Sequence, residues 1–204
     1  MWQFLSAGGP VMILLVLTSI VSVAFIIERG LALRWNKVIP AKIESAVENC
    51  LNADDLPRLR ELCQEEPSTF SRVVMVAQDH LNCPREENAD AIQTRARHEV
   101  LQLERGLVIL EVVVGISPLL GLVGTIHGLI TLFHDLGGVG IADNAAIARG
   151  IGITLNTTLM GLLIAIPSLV CWSYYTKKVE TLAIEMETLC DEFLRRQYRS
   201  NSRT

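Results

Sequence analysis

The chain has 204 residues, half of them hydrophobic, and carries a formal net charge of -4 at pH 7. Its apolar residues are concentrated in a few long runs rather than spread over one soluble domain, a pattern typical of membrane proteins. The negative charge and the lack of an extended basic patch in the sequence argue against a nucleic-acid partner.

The first apolar run, residues 10–27, contains no charged side chain and is interrupted only by Thr18, Ser19 and Ser22. At about 1.5 Å per residue it nearly crosses a hydrocarbon layer of about 30 Å. A cleaved signal peptide is the alternative, but residues 1–9 contain no Lys or Arg, and no small-residue cleavage site follows the run. We therefore predict an outer N-terminus at residues 1–9 and a first transmembrane helix at residues 10–27.

Two further apolar runs predict the second and third transmembrane helices, at residues 107–133 and 149–175, with a periplasmic loop at residues 134–148. The second run holds one carboxylate, Glu111, and the third holds Arg149 at its start. Basic residues favour the cytoplasmic side, and 17 of the 18 Lys and Arg lie in residues 28–106 and 176–204. These two segments are therefore predicted to be cytoplasmic, which places the N-terminus in the periplasm.

Groups that would indicate an enzyme or a metal site are sparse in the sequence. His80 and Cys83 form a lone H-x-x-C pair, which is too little for a metal site. No nucleophile, base and orienting group occur together, and the Gly-rich stretch at residues 135–146 lacks the spacing of a phosphate-binding loop. We predict no enzyme activity, no metal and no cofactor.

The cytoplasmic segments are predicted to be helical. Prolines at positions 40, 57, 67 and 84 divide the first of them into short helices, and from Asp90 one helix is predicted to continue into the second span as far as Pro118. After the third span, apolar residues recur at spacings of three and four, as in the seam of a helical bundle: Val179, Leu182, Met186, Leu189 and Phe193. A loosely amphipathic surface helix is the alternative. The sequence thus predicts an all-α integral membrane protein with three transmembrane helices, the second and third extended into a cytoplasmic helical bundle.

Small and polar residues recur at helical spacing on one face of each of the last two spans. In the third span these are Gly150, Thr154, Thr157, Thr158, Gly161, Ala165 and Ser168; in the second they are Pro118, Gly121, Thr125 and Gly128. If the spans are antiparallel about a loop centred near residue 141, Thr125 and Thr158 lie at nearly equal depth. Such faces serve close helix packing and interhelical hydrogen bonds, or they line a polar pathway, and the residues leave both readings open.

Glu111 precedes Thr125 by fourteen residues, nearly four helical turns, so it shares that face about 21 Å closer to the cytoplasm. A carboxylate within a span indicates a functional or pore-facing position by default, although near the end of a span it can also reach water. His127 lies roughly opposite Thr125 around the helix and is predicted to be hydrogen-bonded at an interface.

Three stretches carry a family resemblance: "GGPVMILLVLTSIVSVAFIIERGLAL", "SPLLGLVGTIHGLITLF" and "NTTLMGLLIAIPSLVCWSYY". They cover all three spans, about half the chain, and resemble the proton-channel family of ExbB, TolQ and MotA. With three spans rather than the four of MotA, and with its "GGPVM" opening, the chain is most similar to the ExbB branch. A TolQ-like role in outer-membrane integrity is the alternative within the family.

The resemblance implies a homopentamer in the bacterial inner membrane, surrounded by lipid and built around a dimer of a single-span ExbD-like or TolR-like partner. The partner's membrane aspartate would carry protons, and the assembly would be a stator that uses the proton motive force to energise TonB-dependent outer-membrane transport through a TonB-like protein.

Thr125 and Thr158 match the family's two pore threonines, and Glu111 matches a carboxylate found seven residues before the proline in many relatives. We assign Thr154, on the same face, to this proton pathway, and Pro118, Gly121, Gly124, Gly128 and Gly161 to helix packing. Many relatives have a Glu five residues before the third-span threonine, where this chain has Ile153. The outer pathway therefore lacks its expected acidic group, and a non-conducting membrane scaffold is the alternative function.

Overall fold

The computed structural model describes residues 9–50, 53–139 and 144–201. Within these ranges the chain is almost entirely helical and contains no strand, which confirms the predicted all-α class. The elements in chain order are α1 (Gly9–Ala32), α2 (Trp35–Val38), α3 (Ala41–Asn49), a 3₁₀ turn (Ala53–Asp55), α4 (Leu56–Glu65), α5 (Thr69–Asp79), α6 (Arg85–Glu104), α7 (Leu107–Val139) and α8 (Asn144–Asn201). The predicted outer N-terminus lies almost wholly outside the described residues.

Three helices are long and apolar enough to cross a membrane, and they contain the three predicted spans. The candidate spans are Pro10–Ala32 in α1, Leu107–His134 in α7 and a window within Gly150–Arg199 of α8. Helix extends into both ends of the predicted loop at residues 134–148, because α7 reaches Val139 and α8 begins at Asn144. Residues 140–143 lie outside the described ranges.

Contacts along the chain divide it into two compact units. The membrane unit comprises the residues up to Glu28 together with Gly106–Tyr174, and the bundle unit comprises Arg29–Arg105 together with the residues from Tyr175 onward. Each unit therefore joins segments that lie far apart in the sequence.

Prolines mark the helix starts of the bundle unit, as the sequence predicts. Pro40 and Pro84 stand directly before α3 and α6, and Pro57 lies in the first turn of α4, where its missing N–H costs no helical hydrogen bond. The fourth proline, Pro67, directly precedes a capping box at the start of α5, in which Ser68 and Ser71 exchange hydrogen bonds. There the Ser71 N–H donates to Ser68 Oγ (3.1 Å) and the Ser68 N–H donates to Ser71 Oγ (2.6 Å).

The core of the bundle unit is an apolar cluster shared by its helices. Phe70 from α5 and Phe193 from α8 are at most 1% exposed and lie in this cluster. The predicted seam of α8 faces the core, because Leu182, Met186, Leu189 and Phe193 belong to the cluster and Val179 is buried as well. This confirms the predicted bundle seam and makes the surface-helix alternative wrong.

One helix boundary differs from the prediction. The single helix predicted to run from Asp90 into the second span is interrupted by a turn at Arg105 and Gly106, between α6 and α7. Arg29 Nη1 donates to the Leu103 carbonyl oxygen (3.0 Å), which is one of the carbonyls left without a partner in the last turn of a helix. The interruption thus combines Gly106, a residue of low helix propensity, with a hydrogen bond from Arg29, which lies far away in the sequence.

The membrane unit carries many of its large apolar side chains on the outside. Ile20 and Leu155, for example, are 60% and 62% exposed. Its inward positions hold polar groups beside apolar ones: Ser22 in α1 and Ser168 in α8 are both buried, as Leu15 is, and the two hydroxyl oxygens lie 2.6 Å apart. This distribution suits a surrounding of lipid, in which apolar side chains gain nothing from burial against one another.

Candidate functional site

Glycines on α7 meet threonines on α8 where these two helices pack. A methyl group placed on Gly124 would lie 2.8 Å from the Thr157 Oγ1, and one placed on Gly128 would overlap the Thr154 methyl group. Because a side chain of any size would collide at these positions, the glycines allow the two backbones to approach closely.

The Gly121 carbonyl oxygen is approached by two threonine hydroxyls of α8. Thr158 Oγ1 donates to it over 3.2 Å, and Thr157 Oγ1 lies 3.4 Å from it. Thr157 Oγ1 also donates to the Thr154 carbonyl oxygen of its own helix over a shorter distance, 2.7 Å. Thr157 is 2% exposed, whereas Thr158 is half-buried.

The helices α7 and α8 also approach closely near Gly161, but there the glycine is on α8 and the residue that it meets is on α7. A methyl group on Gly161 of α8 would lie 2.5 Å from the Ser117 carbonyl oxygen of α7. Ser117 is fully buried and donates its hydroxyl to the Val113 carbonyl oxygen (2.7 Å). Pro118 follows within α7 and is half-buried.

Thr125 and Thr158 lie on the same side of the α7–α8 pair. Gly124 packs against Thr157, and Thr125 and Thr158 each follow one of these two residues directly. One residue corresponds to a rotation of about 100° around the helix axis. Because the helices are antiparallel, both rotations lead to the same side of the pair. Thr158 contacts Gly121 rather than Thr125, so the two threonines differ in depth by about 3 to 6 Å. Both are half-buried in the isolated chain, and Thr125 donates to the Leu122 carbonyl oxygen (2.7 Å).

Glu111 is exposed in the fifth position of α7 and forms no hydrogen bond or ion pair with the described part of the chain. Its spacing places it on the side of Thr125, with Pro118 midway between them. The carboxylate is therefore available to water or to another chain.

The opposite side of the pair carries a different set. His127 is exposed and Asn156 is half-buried, and neither side chain bonds to the described residues. Ile153, the position at which the expected acidic group is missing, is exposed. Thr154 packs against Gly128, is buried, and donates its hydroxyl to the Ile151 carbonyl oxygen of its own helix (2.8 Å).

Sequence reasoning did not single out two arrangements. The Ser22–Ser168 contact was hidden because the spacing of hydroxyls within one helix does not show which residue of another helix they meet. Thr157 belonged to the predicted stripe, but its twofold contact, to Gly121 and to Thr154, depends on the exact packing of the two helices.

The bundle unit contains a buried ion network that the sequence also did not indicate. Glu99, whose side chain has no exposed surface, accepts from Arg72 Nε (2.8 Å) and Nη2 (2.5 Å) and pairs with Arg95 Nη2 (2.7 Å). Burial acts to raise the pKa of Glu99, but the bond from Arg72 and the charges of both arginines outweigh it and lower the pKa below its usual value. Its role is structural, because it stands in a packed helix bundle.

Within the candidate span Leu107–His134 the carboxylate and imidazole side chains are those of Glu111, His127 and His134, and none lies beside Thr125 and Thr158. Among the described residues no three His, Cys, Asp or Glu cluster as a metal site would require. The fold and this site define a multi-span helical membrane protein with a paired-hydroxyl face that can bind a polar group.

The chain belongs to the MotA/TolQ/ExbB proton channel family, whose model matches residues 65–188. A protein named ExbB-like 1 from Synechocystis is 33% identical over 168 residues, which cover 78% of this chain and 64% of the relative. The Tol-Pal system protein TolQ of Pseudomonas aeruginosa is 28% identical over 95% of this chain and 90% of its own. The biopolymer transport protein ExbB of Helicobacter pylori is 35% identical over 41% of this chain and 57% of its own. The match thus spans less than two thirds of the Synechocystis and Helicobacter proteins.

Proposed function

We propose that this chain is the proton-channel subunit of a stator that uses the proton motive force to energise TonB-dependent outer-membrane transport. The observation that carries the proposal is the placement of Thr125 and Thr158 on one side of the α7–α8 pair, half-exposed and within about one helical turn of each other in depth. Membership of the family supports it.

The proton carrier in this proposal comes from a second protein. Because the described residues place no carboxylate or imidazole beside the two threonines, a single-span partner of the ExbD or TolR type supplies a membrane aspartate. Five copies of this chain surround two copies of the partner, with Thr125 and Thr158 facing the partner helices. The TonB-like protein then transmits the motion to the outer membrane.

The chain lies in the bacterial inner membrane with its N-terminus in the periplasm. The distribution of Lys and Arg supports this orientation, since 17 of 18 lie in segments proposed to be cytoplasmic. Glu111 then lies at the cytoplasmic end of the second span, where it accepts a proton that the partner's aspartate releases. Thr125 and Thr158 hydrogen-bond the aspartate and order water around it.

Substitution of Thr158 by Val tests the proposal, because it removes the hydroxyl and keeps the shape of the side chain. We expect proton flux into liposomes that hold the complex purified from its host to be abolished, while native mass spectrometry still finds five subunits and two partners. Thr18→Val is the matched control, since the Thr18 hydroxyl donates to its own helix in α1 (2.8 Å to the Leu14 carbonyl oxygen). A Thr158→Val complex that falls apart would assign Thr158 to packing.

Two other functions have support of their own. A TolQ-like role in outer-membrane integrity is favoured by the long match to the Pseudomonas protein, and it predicts detergent sensitivity rather than an uptake defect when the gene is deleted. A non-conducting scaffold is favoured by Ile153. It predicts that changing the partner's aspartate to asparagine has no effect on uptake.

A further inference from the structure

The helices α1 and α7 of the membrane unit leave an open groove between them, with a volume of about 350 Å³. Six of the large apolar side chains that line it are each 41% to 56% exposed: Leu14, Leu17 and Val21 of α1 and Val108, Val112 and Ile116 of α7. The contact between α7 and α8 is different, because a methyl group added at Gly124 or Gly161 would collide there. The space beside α1 is therefore left for another molecule to fill.

The walls of this groove offer nothing to a polar ligand. Among the described residues that line it, the polar side chain is that of Thr18, whose hydroxyl donates to the Leu14 carbonyl oxygen of its own helix (2.8 Å). Glu111 of α7 does not line the groove, and its spacing places it on the side of Thr125. A wall without charge and without an unpaired donor suits a hydrocarbon chain, because a polar group would lose its hydration there without compensation.

The dimensions of the groove match one acyl chain of a lipid. Between Val108 and Ile116 α7 advances eight residues, which is about 12 Å. One leaflet contributes about 15 Å to the hydrocarbon layer, so the groove spans most of a single leaflet. A helix of another chain is about 10 to 12 Å in diameter and could place only side chains in a groove of this size.

A cation stands at the end of α7 where the head group of such a lipid would lie. Arg105 precedes Val108 by three residues, is exposed, and forms no hydrogen bond or ion pair with the described part of the chain. The planar guanidinium of arginine matches the geometry of phosphate, and basic side chains beside a membrane surface attract anionic groups. An acyl chain that fills the groove as far as Val108 brings its phosphate within reach of Arg105.

We propose that the groove between α1 and α7 binds one phospholipid, with an acyl chain against Val112 and Ile116 and the phosphate at Arg105. The lipid belongs to the leaflet in which α7 begins. It fills the space that the packing of the helices leaves open, and it holds α1 beside α7. The site does not depend on proton conduction.

The test counts the phospholipids that stay with the complex after purification from its host, through a tag on this chain, and prolonged washing with detergent. Native mass spectrometry should find one phospholipid for each copy of the chain. Val112→Phe fills the groove with a ring and should abolish this retention. Val123→Phe is the matched control, because Val123 is 51% exposed and Val112 49%, both lie on α7, and Val123 does not line the groove. It should retain the lipid.

Arg105→Gln tests the head group separately, because it removes the cation and leaves the groove unchanged. Loss of one basic contact at the membrane surface should weaken retention about fivefold, measured as the exchange of a labelled phospholipid against unlabelled lipid. Arg97→Gln is the control, since Arg97 is an exposed arginine eight residues earlier in the chain. Equal retention in the two arginine variants would overturn the assignment of the phosphate to Arg105.

Three results would overturn the lipid site itself. The first is an unchanged complex that holds no phospholipid after washing. The second is a Val112→Phe complex that retains as much phospholipid as Val123→Phe. The third is loss of subunits in both Val112→Phe and Ile116→Phe, because the groove would then hold side chains of another copy. None of these measurements involves proton flux, so the lipid site and the proposed function stand or fall separately.

Discussion

The bundle unit and the membrane unit of this chain are both helical, but different forces hold them. The bundle unit buries large side chains such as Phe70 and Phe193 in one cluster, and water drives that burial. The membrane unit leaves many of its large apolar side chains on the outside, and its helices α7 and α8 meet through glycines and hydroxyls. Because lipid is as apolar as leucine, close backbone contact and hydrogen bonds replace the hydrophobic effect there.

The contrast extends to buried polar groups. In the bundle unit Glu99 is held by two arginines, so a full charge is buried with its partners. The described contacts in the membrane unit are between neutral hydroxyls and carbonyls, such as those of Thr158 and Gly121. Hydrogen bonds between neutral groups are individually weaker than charge-assisted ones.

The largest effect should come from emptying the bundle core. Phe70→Ala removes a fully buried ring and should lower the free energy of unfolding by about 3 to 5 kcal/mol. Urea unfolding of the chain in a mild detergent measures it. Leu101→Ala is the control, since Leu101 is 62% exposed in the same unit and should change the free energy little. Equal losses for the two variants would contradict the position of the core.

A glycine substitution should destabilise the membrane unit by adding an atom rather than by removing atoms. Gly161→Ala places a methyl group 2.5 Å from the Ser117 carbonyl oxygen and should destabilise by about 1 to 3 kcal/mol. Gly152→Ala adds the same methyl group on the same helix where nothing lies within 4 Å, so higher helix propensity should stabilise it slightly. The free energies of unfolding should therefore change in opposite directions. The same sign for both variants would contradict the close contact.

The Glu99 network should give the bundle unit a dependence on pH. Because the pKa of Glu99 is lower in the folded chain than its usual value of 4.5, its contribution to stability is present above that value and is lost as the pH falls through the folded pKa. Glu99→Gln should cost about 1 to 3 kcal/mol at pH 7, since both arginines are about one third exposed and can reach water. The cost should shrink towards pH 3.

Thermal unfolding between pH 3 and pH 7 checks this result. Glu187→Gln, at an exposed position of α8, is the control and should leave the pH dependence unchanged. A Glu99→Gln chain that loses stability with acid as steeply as the unchanged chain would show that other carboxylates are responsible.

The sequence was sufficient for features that repeat. The three spans, the proline-separated helices and the seam from Val179 to Phe193 all follow from composition or from helical spacing, and the structure agrees with them. The side that Thr125 and Thr158 share could not be derived from spacing alone, because it depends on the contact between Gly124 and Thr157, which they each follow by one residue. The roles of these threonines remain a prediction.

Features that depend on one contact between distant segments could not be predicted. The break at Arg105 and Gly106 is accompanied by a bond from Arg29, and Glu99 meets Arg72 from another helix. A correct prediction of the relative depth of Thr125 and Thr158 requires the register of α7 against α8 to within one residue. That register follows from the pairing of glycines with threonines, which spacing within a single helix does not reveal.

The smallest effect should come from the Ser22–Ser168 contact, because it is a buried hydrogen bond between two uncharged groups. It can be compared directly with the charged Glu99 network of the bundle unit. Ser168 donates to the Ile164 carbonyl oxygen, so Ser22 donates to Ser168. A double-mutant cycle of Ser22→Ala and Ser168→Ala should give a coupling of about 0.6 kcal/mol in detergent, the average for hydrogen bonds between membrane helices. Ser173→Ala, at an exposed position of α8, serves as the uncoupled control with Ser22→Ala. A coupling as large as the effect of Glu99→Gln would mean that the two units do not differ in the strength of their buried polar contacts.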